Sequence, residues 1–320
     1  MQSIWSFIED RLLRSEPVVL IVVSDVRGSS PGKKGFKMAI GSQGDKAGSI
    51  GGGPMEYSLE KFALESMQTS KPKAFTNRQV HSPDAGKEAS GLICAGEQHH
   101  VFVKLFPEDI ATIRDITASL EKGIPGRLVL SPEGLQFLDP GDNTHAGLSE
   151  LPENTWRYEE VLLPEPVLYI FGGGHVSVPV TRIARILGFR VEVYDDRKGL
   201  ITMEKNTAAN HKEVIGYEQA ASVIKSPASS YVCIMTVAHA SDQLILEQLL
   251  PLPLRYLGMI GSKNKVETIF SNLLARGVDP AALERVDAPM GMAINSETPA
   301  EIAVSITAEI IRRKNQLSSK

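Results

Sequence analysis

Two glycine-rich stretches carry the first hint of chemistry in this sequence. One is GSIGGGPMEY at 48–57 and the other is FGGGHVS at 171–177. Each runs straight into a segment with helical spacing. A glycine run packs nothing and is entropically costly, so it needs a reason. A side-chain-free backbone ahead of a helix start lets an anion approach unpaired N–H groups at the positive end of the helix dipole.

In the second stretch, Gly172 and Gly174 match the first two glycines of a dinucleotide fingerprint, and Ser177 replaces the third. VLYIF precedes it as a strand and VSVPVTRIARILG follows as a helix. Asp195 closes the next strand, FRVEVYD, where a βαβ nucleotide site places an acid on a ribose hydroxyl. Gly172, Gly173, Gly174 and Asp195 are therefore candidate cofactor-binding residues. His175 either adds a titratable group beside the bound anion or faces solvent.

In the first stretch, Gly51, Gly52 and Gly53 precede Pro54, which suits the first turn of a helix. The basic residues Arg27, Lys33, Lys34 and Lys37 crowd the loop just upstream. If both loops lie at one end of a sheet, they form a basic, glycine-lined pocket. The alternative is a tight turn and a solvated basic loop.

Cys94 sits among small residues in SGLICAGEQHH, which suggests an accessible sulfur, although a buried thiol is the commoner case. Cys233, within the strand YVCIMTV, reads as buried. His99 and His100 are adjacent, so on a strand at most one of them shares a face with a given site. Further along, TVAHASD offers His239 and Asp242, and GMIGSKNK offers Gly261, Ser262 and Lys263. Both loops follow strands and are expected to line the crevice of the second glycine loop. The apolar segment DAPMGMAINSETPAE at 287–301 is expected to cover that crevice, with Glu297 as its notable polar group.

The elements that must position these residues fall into two patterns. Residues 1–163 read as an α+β domain with a mixed or antiparallel sheet. It opens with a helix at 3–14, then the continuous β-branched run PVVLIVVSDVRG, with a helix over 54–67 and another over 107–122. LLPEPV marks the junction. Residues 164–320 alternate strand and helix, which predicts a doubly wound, Rossmann-like parallel sheet. The last helix should start at Thr298-Pro299 with Glu301 in a capping box.

Composition narrows the classes. The chain has 320 residues, 42% hydrophobic and 22% charged, with a net charge of −4, so no global basic field recruits nucleic acid or anionic lipid. Its two cysteines make neither a disulfide framework nor a metal pair, which points to a reducing compartment. The N-terminus lacks the pattern of a signal peptide, and no run approaches the roughly 18 apolar residues of a membrane span. A cytoplasmic location is expected. HExxH, a Walker lysine and an iron–sulfur cysteine set are all absent.

Taken in order, several pieces resemble the XdhC/CoxI family. They are GSSPGKKGFKM, GSIGGGPMEYSLE, the Cys94-Ala95-Gly96 loop, FGGGHVSVPVTRIARILGFRVEVYDDR, MTVAHASD, LGMIGSK and APMGMAINSETPAEIAVSITAEI. The resemblance implies an accessory protein that binds molybdenum cofactor (molybdopterin, alone or as a dinucleotide). It would help sulfurate that cofactor and insert it into an apo-xanthine dehydrogenase or related molybdenum hydroxylase, with no redox centres of its own. It also implies that Lys37, Glu56 and Cys94 join the glycine loops, His175, His239, Gly261 and Ser262 in holding cofactor. A cysteine desulfurase is an expected further partner, and a homodimer the expected assembly. The chain departs from the family at Pro54, where members often carry cysteine, and in its Cys-Ala-Gly loop, where Cys-Gly-Gly is usual. An NAD(P)-binding oxidoreductase is the rival reading, and a ligand-free scaffold a third.

Overall fold

A computed structural model describes residues 3–69, 72–80, 96–141, 147–151 and 155–317. The chain divides into two compact units, Met1–Pro164 and Glu165–Lys320.

The first unit runs α1 (Ile4–Leu13), β1 (Val18–Gly28), β2 (Lys37–Gly41), β3 (Lys46–Gly48), α2 (Gly53–Met67), β4 (Ala74–Val80), β5 (Gly96–Leu105), α3 (Ile110–Glu121), β6 (Gly126–Ser131), β7 (Gly134–Leu138), β8 (Gly147–Leu151) and β9 (Thr155–Leu162). Among the described residues these strands form two sheets, β3-β2-β1-β5-β4 and β7-β6-β9-β8. Every pair is antiparallel, so no mixed sheet forms. The physical reason is connection length. Pro132-Glu133 is all that separates β6 from β7, and a turn that short cannot make a parallel crossover.

The β-branched run of β1 is continuous because both of its faces are buried. Val18, Leu20 and Val22 pack with α1, α3 and the second sheet. Val19, Ile21 and Val23 pack with Met55, Leu59 and Ala63 of α2. Alternation along the strand thus sends neighbours into two separate cores, and α2 is held against the second of them. That contact fixes where the helix starts, and with it the glycine run.

The second unit runs β10 (Val167–Phe171), α4 (Ser177–Ile186), β11 (Arg190–Asp195), α5 (Ile201–Glu204), β12 (His211–Val214), β13 (Ser230–Ile234), α6 (His239–Leu249), β14 (Tyr256–Met259), α7 (Lys263–Ala275), α8 (Pro280–Glu284) and α9 (Pro299–Leu317). Its sheet has the order β12-β11-β10-β13-β14 with parallel pairing throughout. Leu168 and Ile170 face a core shared with α4 and α9, whereas Tyr169 and Phe171 face one shared with α6 and α7. Helices on both faces make this a doubly wound sheet, as the alternating pattern predicts. The crossover from β12 to β13 departs from strict alternation. It carries two short 3-10 turns, Tyr217–Gln219 and Pro227–Ser229, in place of a helix.

The expected capping box at α9 forms. Glu301 N–H donates to Thr298 Oγ1 at 3.3 Å, and the N–H groups of Thr298 and Glu297 donate to Glu301 Oε2 at 3.0 and 2.8 Å. The segment before it is tied to β14: Met259 N–H donates to Asp287 O at 2.9 Å and Met290 N–H to Met259 O at 3.0 Å. Beyond this anchor Met292, Ile294 and Glu297 are exposed. Among the described residues no helix is long and apolar enough to cross a membrane.

Candidate functional site

The strand order reverses at β10. Successive connections run outward through β11 and β12, then return to β13 on the other side. In open parallel sheets the crevice outside the carboxyl ends at such a switch point is where ligands bind. The segment Gly172–Val176 sits there, between the end of β10 and the first residue of α4.

Its three glycines have different jobs. Gly172 is at φ +113°, and a Cβ there would lie 2.2 Å from Met235 O. Its N–H donates to Tyr194 O at 2.8 Å. The first glycine is thus pinned between the two neighbouring strands. A Cβ on Gly173 would lie 2.9 Å from Met203 Cβ, and the Gly173 carbonyl accepts from Thr202 Oγ1 at 2.6 Å. A Cβ on Gly174, by contrast, meets nothing within 4 Å. The open side of the loop is at Gly174, next to the start of α4, where first-turn N–H groups lack helical partners. Ser177 is buried and donates through its hydroxyl to Gly174 O at 2.7 Å, which braces the turn.

Asp195 stands where the fingerprint places it, but its chemistry is already spent. Its side chain is fully buried, and Oδ2 accepts from Gly173 N–H at 2.7 Å. Arg197 grips it through Nε and Nη2, both at 2.8 Å, and through its backbone N–H at 3.0 Å. Burial opposes the charge, yet the Arg197 and Gly173 donors outweigh it and hold the Asp195 carboxyl below its ordinary pKa. The expectation of an acid offered to a ribose is therefore corrected: both oxygens are taken within the chain. Asp195 fixes the glycine loop and places the Arg197 guanidinium beside it. A cleft of about 310 Å³ adjoins this corner, bordered by Arg197, Leu200, Met203, Lys212 and Val214.

Other predicted residues reach the same end of the sheet. His175 and His239 are exposed at the ends of β10 and β13. Gly261 and Ser262 follow β14, where Ser262 accepts from Lys265 N–H at 3.2 Å as the N-cap of α7. Asp242 is not available to a ligand. It is fully buried, accepts from Thr236 N–H at 3.1 Å and Thr236 Oγ1 at 2.6 Å, and is paired with Lys265. Cys233 is buried, and burial pushes its thiol up from the ordinary range.

The first glycine run is the larger surprise. Gly51, Gly52 and Gly53 all have positive φ, at +131°, +76° and +71°. The geometry is that of an anion cradle, and its anion is Glu56. The Glu56 carboxylate accepts from Ser49 Oγ at 2.6 Å, Gly52 N–H at 2.9 Å and Ile50 N–H at 3.0 Å. Gly51 N–H donates to Ser49 Oγ at 3.2 Å. Burial would raise the Glu56 carboxyl, but these donors and Lys46 lower it on balance. The N–H groups of Ile50, Gly51 and Gly52, just ahead of the helix, are thus committed to the chain's own side chains. Glu56 is a built-in ligand of the loop.

Lys37 is also withdrawn from the expected basic pocket. Its ammonium pairs with Glu160 at 2.6 Å and donates to Gly35 O at 2.8 Å. Lys33 and Lys34 remain exposed. The two loops meet: Gly51 packs against Gly32, where a Cβ on Gly51 would lie 2.7 Å from the Gly32 nitrogen. A residue that sequence reasoning passed over joins them. Gln98 is fully buried, accepts from Ser30 Oγ at 2.7 Å and donates to Ile50 O at 2.8 Å. It stands in the polar stretch GEQHH at the start of β5, where nothing in the sequence marks it as buried. Gln98→Ala is expected to cost about 1–3 kcal/mol, since it strands a buried carbonyl and opens a cavity. Urea unfolding of the full chain reads this as a lower midpoint. Cys94 lies outside the described residues. Among the described residues no group of His, Cys, Asp and Glu could hold a metal ion.

Comparisons with known proteins agree on both units. The family model described as the XdhC and CoxI family matches residues 12–78, and the one described as the XdhC Rossmann domain matches residues 168–310. A Bacillus subtilis protein, named as a probable subunit of xanthine dehydrogenase, is 25% identical over 97% of both chains. The Escherichia coli protein named YqeB, described as uncharacterized, is 27% identical over 93% of this chain, which spans only 44% of the YqeB length. A Bacillus halodurans crystal structure, described as a xanthine dehydrogenase, superposes with a TM-score of 0.80 at 25% identity, covering 98% of this chain and 96% of that one. With one family model on each unit, the chain joins an XdhC and CoxI family segment to an XdhC Rossmann domain.

Proposed function

We propose that this chain is a cytoplasmic accessory protein that binds molybdenum cofactor and assists its sulfuration and insertion into a xanthine dehydrogenase or related molybdenum hydroxylase. The observation that carries the reading is the Gly172–Gly174 loop at the switch point of a family Rossmann unit. Two of its glycines are locked by packing, and the third opens onto a helix start. That arrangement suits the phosphate of a molybdopterin or the pyrophosphate of its dinucleotide form. The residues fit such a group: a Cβ-sized space stands open at Gly174, and Arg197 supplies a cation beside the loop. His175, His239, Gly261 and Ser262 would contact the rest of the ligand from the adjoining strand ends. When bound, the cofactor supplies the molybdenum centre, and the chain binds, orients and shelters it. Glu56 and the Gly51–Gly53 run serve this role by shaping the first unit. The apo-dehydrogenase and a cysteine desulfurase are the partners in this reading, and the chain works as a homodimer.

NAD(P) binding for oxidoreductase chemistry draws support from the strand order and the same glycine loop. The capture of Asp195 by Arg197 and Gly173 weighs against it, because no carboxylate oxygen is left for a ribose diol. Purification of the full chain from a molybdenum-replete host decides between them. Acid extraction should release a fluorescent oxidised pterin at close to one per chain, and mass spectrometry should identify its nucleotide. Recovery of NAD(P) with no pterin would overturn the proposal.

A further inference from the structure

A second charged cleft lies at the other end of the parallel sheet. Arg255 immediately precedes β14, so it sits at the amino end of that strand, while Gly261 and Ser262 follow the carboxyl end. At about 3.3 Å per residue, the two ends of β14 are roughly 13 Å apart. This cleft is therefore separate from the glycine-loop crevice.

Its volume is about 160 Å³, and its lining includes Arg255, Arg285 and Arg313 above Leu250, Leu254 and Leu257. The arginines come from three segments distant in sequence: the turn before β14, the end of α8 and the last turns of α9. Each is oriented by a contact within the chain. Arg255 Nε donates to Ala228 O at 2.9 Å, Arg285 Nη2 to Leu252 O at 3.0 Å, and Arg313 Nε to Glu309 Oε1 at 2.9 Å. These contacts engage one of the five N–H donors of each guanidinium. No acidic side chain lines the cleft among the described residues. Arg313 is paired with Glu309, whereas Arg255 and Arg285 contact backbone carbonyls. Two guanidinium charges thus share one small concavity with no carboxylate lining it among the described residues, and they repel one another unless an anion joins them.

Size limits what that anion can be. A volume of about 160 Å³ matches the share of about five waters, and it falls short of the roughly 300 Å³ where drug-sized ligand pockets begin. We infer that the Arg255–Arg285–Arg313 cleft is a binding site for a small, multiply charged oxyanion of the phosphate class. The planar guanidinium forks suit its oxygens and the leucine floor keeps water from competing beneath it. The inference is independent of what the Gly172 loop binds.

Calorimetric titration of the full chain with inorganic phosphate tests it. A Gly174→Glu background blocks the other phosphate-binding candidate. In that background one phosphate should bind in the millimolar range or tighter, and more weakly as salt rises. Arg285→Ala should weaken binding at least tenfold. Arg255→Gln should do the same, and as a change in an exposed turn residue it guards against a folding defect in the first variant. Equal urea midpoints confirm that the fold is kept. Binding unchanged in both arginine variants would overturn the inference. So would the absence of phosphate binding up to about 50 mM, including the case where an oligoglutamate peptide binds instead.

Discussion

Gly172→Ala is expected to destabilise the Rossmann unit by about 3–5 kcal/mol, while Gly174→Ala, two residues on, changes stability by less than about 0.5 kcal/mol. The first substitution forces an L side chain to φ +113° and drives its Cβ to within 2.2 Å of Met235 O. Neither partner can yield. Met235 N–H is held by Phe171 O at 2.8 Å and Gly172 N–H by Tyr194 O at 2.8 Å, so the clash falls within the hydrogen-bonded frame of the sheet. The second substitution adds a methyl group to open space at an ordinary φ. Ligand binding should show the reverse contrast where the folded protein can be measured. Gly174→Ala, stable but with a methyl group on the open side of the loop, should retain less pterin or phosphate than the unmodified chain. Urea unfolding and ligand retention of the two variants, measured side by side, separate packing glycines from contact glycines. Equal stability of the two variants would sink the assignment of Gly172 to packing.

Glu56→Ala should cost about 3 kcal/mol, with a pH signature that a merely structural residue would not give. Removing the carboxylate leaves Ser49 Oγ–H and the N–H groups of Ile50 and Gly52 without their acceptor, and Ile50 is fully buried. The folded carboxyl titrates below the ordinary 4.5. A depressed folded pKa means that the charged form is the one folding stabilises. Its contribution is complete above about pH 5 and is lost as pH falls through the folded value. The gap in urea midpoint between the unmodified chain and Glu56→Ala should therefore hold from pH 7 to about 5 and narrow below. Glu56→Gln should lie between the two, since an amide oxygen accepts but carries no charge. Added sulfate should stabilise Glu56→Ala more than the unmodified chain, by taking the vacated place in addition to its general salting-out effect. A gap that stays constant into acid would rule out Glu56 as the anion of the loop.

These two loops show where sequence reasoning succeeds and where it stops. Both look alike as strings: a run of glycines before a helix. Local rules predict both helix starts, and α2 begins at Gly53 and α4 at Ser177, close to where the patterns place them. The rules do not tell which side chain folds back onto the exposed N–H groups. Glu56 does so from one turn inside the helix, and Ser49 completes the set from the other side. Asp195 reaches Gly173 from the neighbouring strand. The edge strand β4 carries a weaker local signal: AFTNRQV lacks the continuous apolar run of β1, because an edge strand buries less of its surface.

The class of each half is legible from local signals. Continuous β-branched runs, helical spacing and glycine punctuation are local signals, and they specify an α+β unit followed by a doubly wound parallel one. The ordered motifs specified the family. Which polar groups stay open to a ligand depends on long-range contacts. Lys37 is held by Glu160, Asp195 by Arg197, Asp242 by Lys265, and the Gly51–Gly53 cradle by Glu56. Hydrogen bonds and ion pairs of this kind join residues from different elements, and their geometry exists only once the sheets bring those elements together. For the same reason three arginines scattered over the last third of the sequence become one cleft only in the folded chain.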